Sequence, residues 1–198
     1  MKILQFGKFY PPNVGGIENV MLHLTEGLNE FEVQCDVLCS NDKALYQEDR
    51  ISNYTVYRTR SWATISSTSI SPQMIFKLRE FHKNYDIIQV HLPDPMANLA
   101  LFFARPKCKV ILYWHSDIIR QKYLMLFYKP LLIWLIKKAD LIIGSTESHI
   151  RDSDFYPYFK SKFAIVPYIL DDTRFNERNI NDALLGTLCE TYKNKKVI

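Results

Sequence analysis

Cysteine is scarce in this sequence: Cys35, Cys39, Cys108 and Cys189 form no CxxC pair and stand beside no histidine at zinc spacing, which argues against a structural zinc site. Cys35 and Cys39 fall inside an apolar run, so they are expected to be reduced, buried thiols in a reducing compartment. Glycine is scarce as well, with six residues. Neither GxGxxG nor the Walker pattern occurs, which disfavours dinucleotide dehydrogenases and P-loop ATPases. The absence of GxSxG and HExxH removes the nucleophile elbow and the zincin helix, and no metal or cofactor is expected. The longest hydrophobic stretch, residues 123–136, is divided by Lys129-Pro130 and falls short of the about 18–20 apolar residues that cross a bilayer. There is no dense basic arm either: 25 Lys and Arg are spread along the chain for a net charge of +4. Nucleic acid is therefore not an expected partner, whereas phosphate-bearing ligands and anionic membrane surfaces are compatible with this balance. The apolar run at residues 2–6 stops at Gly7, too short for a signal peptide. The expected location is cytoplasmic, with a peripheral position on the inner face of the membrane left open.

What is present is alternation. Short strand-like runs at residues 2–6, 31–39, 86–90, 109–113, 141–143 and 163–166, and an alternating one at 54–58, predict strands. Between them, three- and four-residue spacing predicts helices over 17–28, 72–83, 95–104 and 119–138, the last bent at Pro130. On the first of these, Ile17, Val20, Met21, Leu24 and Leu28 are the expected buried face. Buried strands alternating with amphipathic helices predict a doubly wound, Rossmann-like parallel α/β sheet. Residues 1–190 are expected to form one domain. Residues 182–196 read as a polar connection, and 191–198 as the start of a second, truncated domain whose first strand opens at 195–198.

In such sheets ligands sit beyond the carboxyl ends of the strands, which selects a few residues for chemistry. Gly15 and Gly16 stand where the first strand hands over to a helix, where exposed N–H groups and the helix dipole favour an anion; they also suit a plain turn. His115 follows the strand at 109–113 and His91 ends the strand at 86–90, so two imidazoles share one topological position. Either could contact a hydroxyl or be a satisfied structural histidine, and Asp117 is close enough in sequence to orient His115. Ser145 after the strand at 141–143 reads as a helix N-cap. Residues 123–136 read as core, or as a face partly inserted at a membrane surface.

Taken together, Tyr10-Pro11-Pro12 with Gly15-Gly16-Ile17-Glu18, the strand ending in Val90-His91, Trp114-His115-Ser116-Asp117, Ala139-Asp140 through Ser145, and Val166-Pro167 leading to Asp171 and Phe175 resemble the N-terminal half of retaining family 4 glycosyltransferases of the GT-B fold. The resemblance implies that Gly15 and Gly16 face the donor diphosphate and that His115 sits beside the transferred sugar. Glu18, His91 and Asp117 become candidates for acceptor or sugar contacts. It implies a nucleotide-sugar donor held mainly by a C-terminal domain beyond this sequence, and a lipid-linked or saccharide acceptor, as in cell-surface polysaccharide or lipopolysaccharide synthesis. After Pro167 the chain reads Tyr168-Ile169-Leu170-Asp171, without the glycine usual in that family. The alternatives are a non-catalytic acceptor-binding or membrane-docking subunit, and a GT-B nucleotide-sugar epimerase.

Overall fold

The computed structural model describes residues 1–65, 68–118, 122–168, 182–193 and 195. Two compact units divide the chain, Met1–Tyr168 and Ile169–Ile198. The first holds strands β1 (Lys2–Phe6), β2 (Gln34–Ser40), β3 (Gln47–Ile51), β4 (Tyr54–Thr59), β5 (Ala63–Ile65), β6 (Thr68–Ile70), β7 (Ile87–Leu92), β8 (Lys109–Trp114), β9 (Leu141–Gly144) and β10 (Phe163–Ile165). Its helices are α1 (Gly16–Glu30), α2 (Gln73–Phe81), α3 (Pro95–Ala104), α4 (Lys122–Lys138), α5 (Glu147–Arg151) and α6 (Tyr156–Phe159). In the second unit residues 182–192 form helix α7 (Asp182–Tyr192) where a polar connection was expected, because Leu184, Leu185 and Leu188 recur at helical spacing among good helix formers. Of the strand expected at 195–198, all but Lys195 lies outside the described residues.

Among the described residues eight strands form the main sheet, in the order β10-β9-β8-β7-β1-β2-β4-β3, and β5 pairs with β6 in a separate hairpin. All the main-sheet pairings are parallel except β3 against β4. The expected parallel sheet is thus present with one antiparallel edge. That edge was not expected because β3 reads Gln-Glu-Asp-Arg-Ile, with no apolar alternation; a charged edge strand resists pairing with other chains. The hairpin β5/β6 also went unforeseen.

Both faces of the central strands are covered, which is why they read as unbroken apolar runs. On one face Val37, Cys39 and Val56 pack with Tyr10 and with Met21 of α1. On the other Leu4, Phe6, Leu38, Val90, Leu92 and Leu112 pack against α2, α3 and α4. The buried face of α1 differs from the expected one. Met21, Thr25 and Asn29 are buried, while Ile17, Val20, Leu24 and Leu28 are half-buried. Two of the buried residues are polar because they satisfy backbone groups: Thr25 donates to Met21 O at 2.7 Å, and the Asn29 amide brackets Cys35, donating to its carbonyl at 2.9 Å and accepting from its N–H at 3.2 Å. The same turn delays β2 to Gln34. Val33 N–H reaches back to Leu28 O at 2.9 Å, with Glu32 in the left-handed region at φ 59°, a helix-ending turn that a run of strand-forming residues did not reveal.

Cys35 and Cys39 are buried free thiols, whereas Cys108 is half-buried and Cys189 exposed. In α3 Asp94 caps the first turn, its Oδ1 accepting from Met96 and Ala97 N–H at 3.0 and 3.2 Å. On α5 the N-cap is Thr146, whose Oγ1 accepts from His149 N–H at 3.3 Å. Ser145, the expected cap, is one residue too early and faces His149 Nδ1 at 3.5 Å.

Packing at Gly144 and Gly27 differs in a way that can be measured. A Cβ at Gly144 would meet Ile150 Cγ1 at 2.2 Å, and one at Gly27 would meet nothing within 4 Å. Gly144→Ala is expected to destabilise by about 1–3 kcal/mol through overpacking, and Gly27→Ala, inside α1, to stabilise by about 0.5–1 kcal/mol. Urea midpoints of the two variants check both signs.

Candidate functional site

Strand order reverses at β1. From there the chain runs outward through β2 and β4 on one side and, later, through β7, β8, β9 and β10 on the other, so the carboxyl ends of β1 and β7 flank the switch point where such sheets open a crevice. Gly7 follows β1 at that point. A Cβ there would meet Met21 Sδ at 2.7 Å and lie 3.5 Å from His91 Cβ, so the missing side chain makes room for α1 and the His91 ring to close on β1.

Beyond Gly7 the loop to Gly15 is held from beneath. Arg58, 6% exposed, donates to Tyr10 O at 3.2 Å and to Pro11 O, and pairs with Asp49 at 2.6 Å; Tyr10 and Tyr54 join hydroxyls at 3.1 Å. The loop ends in an uncapped helix. Gly15 is the N-cap of α1 with extended backbone and no side-chain cap, Val14 is 93% exposed, and a Cβ at Gly16 would meet nothing within 4 Å. The first amides of α1 therefore begin at an open surface, the condition for an anion to approach. Glu18 folds back over Gly15, where its carboxylate oxygen lies 2.1 Å from an ideal Cβ position.

The two histidines meet. His115 continues the β8 ladder by one residue, its N–H on Leu92 O at 3.1 Å. Its Nε2 lies 2.9 Å from Nδ1 of His91, whose Nε2 lies 2.7 Å from Gln5 Oε1. The remaining nitrogen of His115, Nδ1, lies 3.1 Å from the Tyr168 hydroxyl. Tyr113 lies beside His115 with ring centroids 4.6 Å apart and planes 7° from parallel, and its hydroxyl donates to Val166 O at 2.8 Å.

His91 is 1% exposed, with both ring nitrogens engaged by His115 and Gln5. His115 is half-buried. Asp117 does not orient it. The Asp117 carboxylate accepts from Trp114 Nε1 at 2.8 Å, Ser153 Oγ at 2.9 Å and Asp154 N–H at 3.1 Å, and so ties the loop after β8 to residues 153–154. Gln5, Tyr113, Tyr168 and Arg58 were not anticipated. Gln5 carried a signal, since a lone amide inside Ile-Leu-Gln-Phe must find a buried partner.

Burial keeps the histidines neutral. It holds His115 down to about 4, helped by nearby His149, and pushes His91 well below its ordinary value, helped by His115. Asp94 is raised to about 6 by burial, against the pull of its two backbone donors. Among the described residues no three His, Cys, Asp or Glu are grouped to hold a metal ion.

With this geometry set out, comparison with known proteins decides the family. The profile of glycosyltransferase family 4 matches residues 14–174. The chain belongs to glycosyltransferase family 4. It is 29% identical over 177 residues to O-antigen chain mannosyltransferase C of Escherichia coli, covering 86% of this chain and 46% of that protein. To D-rhamnosyltransferase WbpZ of Pseudomonas aeruginosa it is 28% identical over 172 residues, covering 86% and 45%. The chain thus spans about half the length of the curated relatives it matches. In fold it is similar to HepE of Anabaena, solved with UDP-glucose (TM-score 0.61, 14% identity, 98% of this chain and 50% of that one). It is similar also to sucrose-phosphate synthase of Thermosynechococcus elongatus (TM-score 0.59, 12% identity, 91% and 53%).

The family 4 fold places a half-buried imidazole where its protonation affects stability. A base whose folded pKa of about 4 lies below its ordinary 6.5 takes up a proton first in the unfolded chain, so its contribution is complete above pH 6.5 and is lost as pH falls toward 4. Asp94, with its raised pKa, works in the opposite direction as pH falls through about 6. His115→Asn is expected to lose about 2 kcal/mol less stability than the parent between about pH 7 and pH 5, by urea midpoints. Equal losses in both proteins would mean that the ring is not held neutral.

Proposed function

We propose that the protein to which this chain belongs transfers a hexose from a nucleotide-sugar donor, with retained anomeric configuration, to a lipid-linked or saccharide acceptor in cell-surface polysaccharide or lipopolysaccharide synthesis. The chain supplies the acceptor-side half. Alone it is inactive, because most donor contacts belong to a further domain. What supports this reading is family membership together with one observation: the open glycine turn of α1 and a half-buried, neutral imidazole stand on the carboxyl ends of neighbouring parts of one sheet. The named activities of the mannosyltransferase and rhamnosyltransferase relatives give the class of reaction.

In this reading the amides at Gly15 and Gly16 meet the donor diphosphate, where N–H groups and the helix dipole stabilise the charge that grows as the glycosidic bond breaks. His115 contacts the transferred sugar. Asp117 is already committed to Trp114, Ser153 and Asp154 and cannot serve as a base without breaking that latch. The donor phosphate itself takes the proton from the incoming hydroxyl on the face the leaving group vacates, which gives retention without a dedicated protein base, metal or cofactor. Glu18, folded over Gly15, is a further candidate for a hydroxyl of the sugar or acceptor, which its carboxylate can accept from.

A lipid-linked acceptor is supported by an apolar surface formed by the β5/β6 hairpin, α3 and α4. Ile65, Ile70, Pro95, Leu99, Met125 and Tyr128 line a groove of about 370 Å³ between the hairpin, α3 and α4. Phe127, which also lines it, and the adjacent Leu126 are 83% and 72% exposed, with Lys129, Lys137 and Lys138 exposed on the same helix. Leu132, Leu135 and Ile136 of α4 are core, so one face of the 123–136 stretch is buried and another is open. No described helix is long and apolar enough to cross a membrane. A peripheral position on the inner face of the membrane fits such a helix, with apolar side chains at headgroup depth and lysines toward anionic lipid. The same face supports the second reading, a docking subunit that works with a separate donor-binding chain.

In the complete protein His115→Ala is expected to lower kcat/KM roughly 100-fold with the native donor and acceptor; unchanged turnover removes His115 from the reaction, and an inverted anomer in the product rules out retention. The parent is expected to co-sediment with anionic vesicles at low salt, and Leu126→Ser with Phe127→Ser to abolish this. Absence of parental binding would leave α4 without a membrane role.

A further inference from the structure

A neutral imidazole has one nitrogen that donates and one that accepts, and which is which depends on its partners. Here the partners form a line. At its buried end Gln5, fully buried, turns Oε1 toward His91 Nε2 at 2.7 Å. An amide oxygen only accepts, so the His91 proton is on Nε2 and its Nδ1 carries a lone pair. The 2.9 Å contact between His91 Nδ1 and His115 Nε2 then requires the His115 proton on Nε2. That leaves His115 Nδ1 as a lone pair, and the Tyr168 hydroxyl at 3.1 Å donates to it. Each bond sets the direction of the next, and the first is set by the orientation of one amide.

We infer that Gln5 and His91 are positioning residues that fix His115 in the Nε2–H tautomer, so that its Nδ1 offers a lone pair to a hydroxyl of the transferred sugar, in the place the Tyr168 phenol now fills. The inference rests on the transferase reading for the identity of that hydroxyl, and on geometry alone for the tautomer. It makes the site selective by hydrogen-bond polarity: a sugar bearing O–H at the contact position is accepted, and an analogue with fluorine or hydrogen there loses the bond because it cannot donate. The neighbours of the line are consistent with a fixed direction. Tyr168 is 43% exposed, on the open side of the line, whereas His91 is enclosed.

The competing arrangement is specific. Gln5 Nε2 is buried without a hydrogen-bond partner, and amide oxygen and nitrogen are told apart only by their surroundings. With the amide reversed, every bond in the line would invert and His115 would present Nδ1–H, a donor. Long-range 1H–15N correlation spectra of protein labelled at histidine report ring tautomers directly and require no activity. Near neutral pH, His91 and His115 are both expected as Nε2–H forms. Gln5→Met, which keeps the volume and removes the acceptor, is expected to mix the tautomers at both rings, and Gln5→Glu, whose carboxylate only accepts, to restore the Nε2–H form. His115 found as Nδ1–H in the parent overturns the inference, as does a pure Nε2–H form surviving in Gln5→Met. Should Gln5→Met not fold, the parent and Gln5→Glu spectra still decide. In the complete enzyme Gln5→Met is expected to lower kcat roughly tenfold, with recovery in Gln5→Glu. Tautomers as expected with kcat unchanged would leave the relay in place and sink the link between His115 and the sugar.

Discussion

The pairing of β1 with β2 on one side and β7 on the other is the constraint from which the site follows. Parallel strands joined by covering helices all end at one edge, and the edge opens where strand order reverses. Because β1 is the reversal point, the first loop of the chain and the ends of β7 and β8, separated by some 80 to 100 positions in sequence, become neighbours. Register then does the fine placement. Phe6 faces Val90 and His91 faces Tyr113, so His91 comes level with Gly7, the residue whose absent side chain lets α1 approach. A one-residue slip of β7 would turn His91 to the opposite face of the sheet.

Burial has opposite consequences for the polar groups gathered there. Gln5 Oε1 and His91 Nε2 lie inside the layers and partner each other, since an unpaired polar group in that environment costs a large share of a domain's net stability; Gln5 Nε2 is left carrying that cost. Arg58 is buried under the glycine loop for the same reason, and it fixes Tyr10 and Pro11 by their carbonyls instead of by side-chain identity. The loop is thus held by a charge facing backbone, while its tip at Val14 and Gly16 stays open. Rigidity below and access above are what an anion-binding turn needs, and they come from different residues.

Much of this was legible beforehand, and the reasons differ element by element. The β7 and β8 runs, buried on both faces, are rich enough in apolar residues to be marked as strands by composition alone, and the histidines at their carboxyl ends fall at one edge of the sheet by topology. The family resemblance rested on those same positions. Sequence was silent where polarity is used internally. Thr25 and Asn29 look like the outer face of an amphipathic helix, yet they are buried to serve backbone groups of α1 and β2. Gln47 to Arg50 look like loop, yet they make an edge strand whose charges are its protection. Asp117 looks like a partner for His115 two residues away. In a strand-end turn, though, its carboxylate is carried toward Ser153 and Asp154, and proximity in sequence carried no information about direction.

His91 shows why a shared topological position does not give a shared role. Both histidines stand at strand ends, but β7 is flanked on both sides within the ladder while His115 lies one residue beyond β8, its backbone tied to the ladder by its N–H on Leu92 O. That single residue of overhang decides which ring is enclosed and which is half-open. The enclosed ring has its two nitrogens on Gln5 and on the half-open ring, so it meets the crevice side only through that neighbour. Burial, and not a neighbouring carboxylate, then decides the charge of the outer imidazole: desolvation lowers its pKa and keeps the ring neutral near neutral pH.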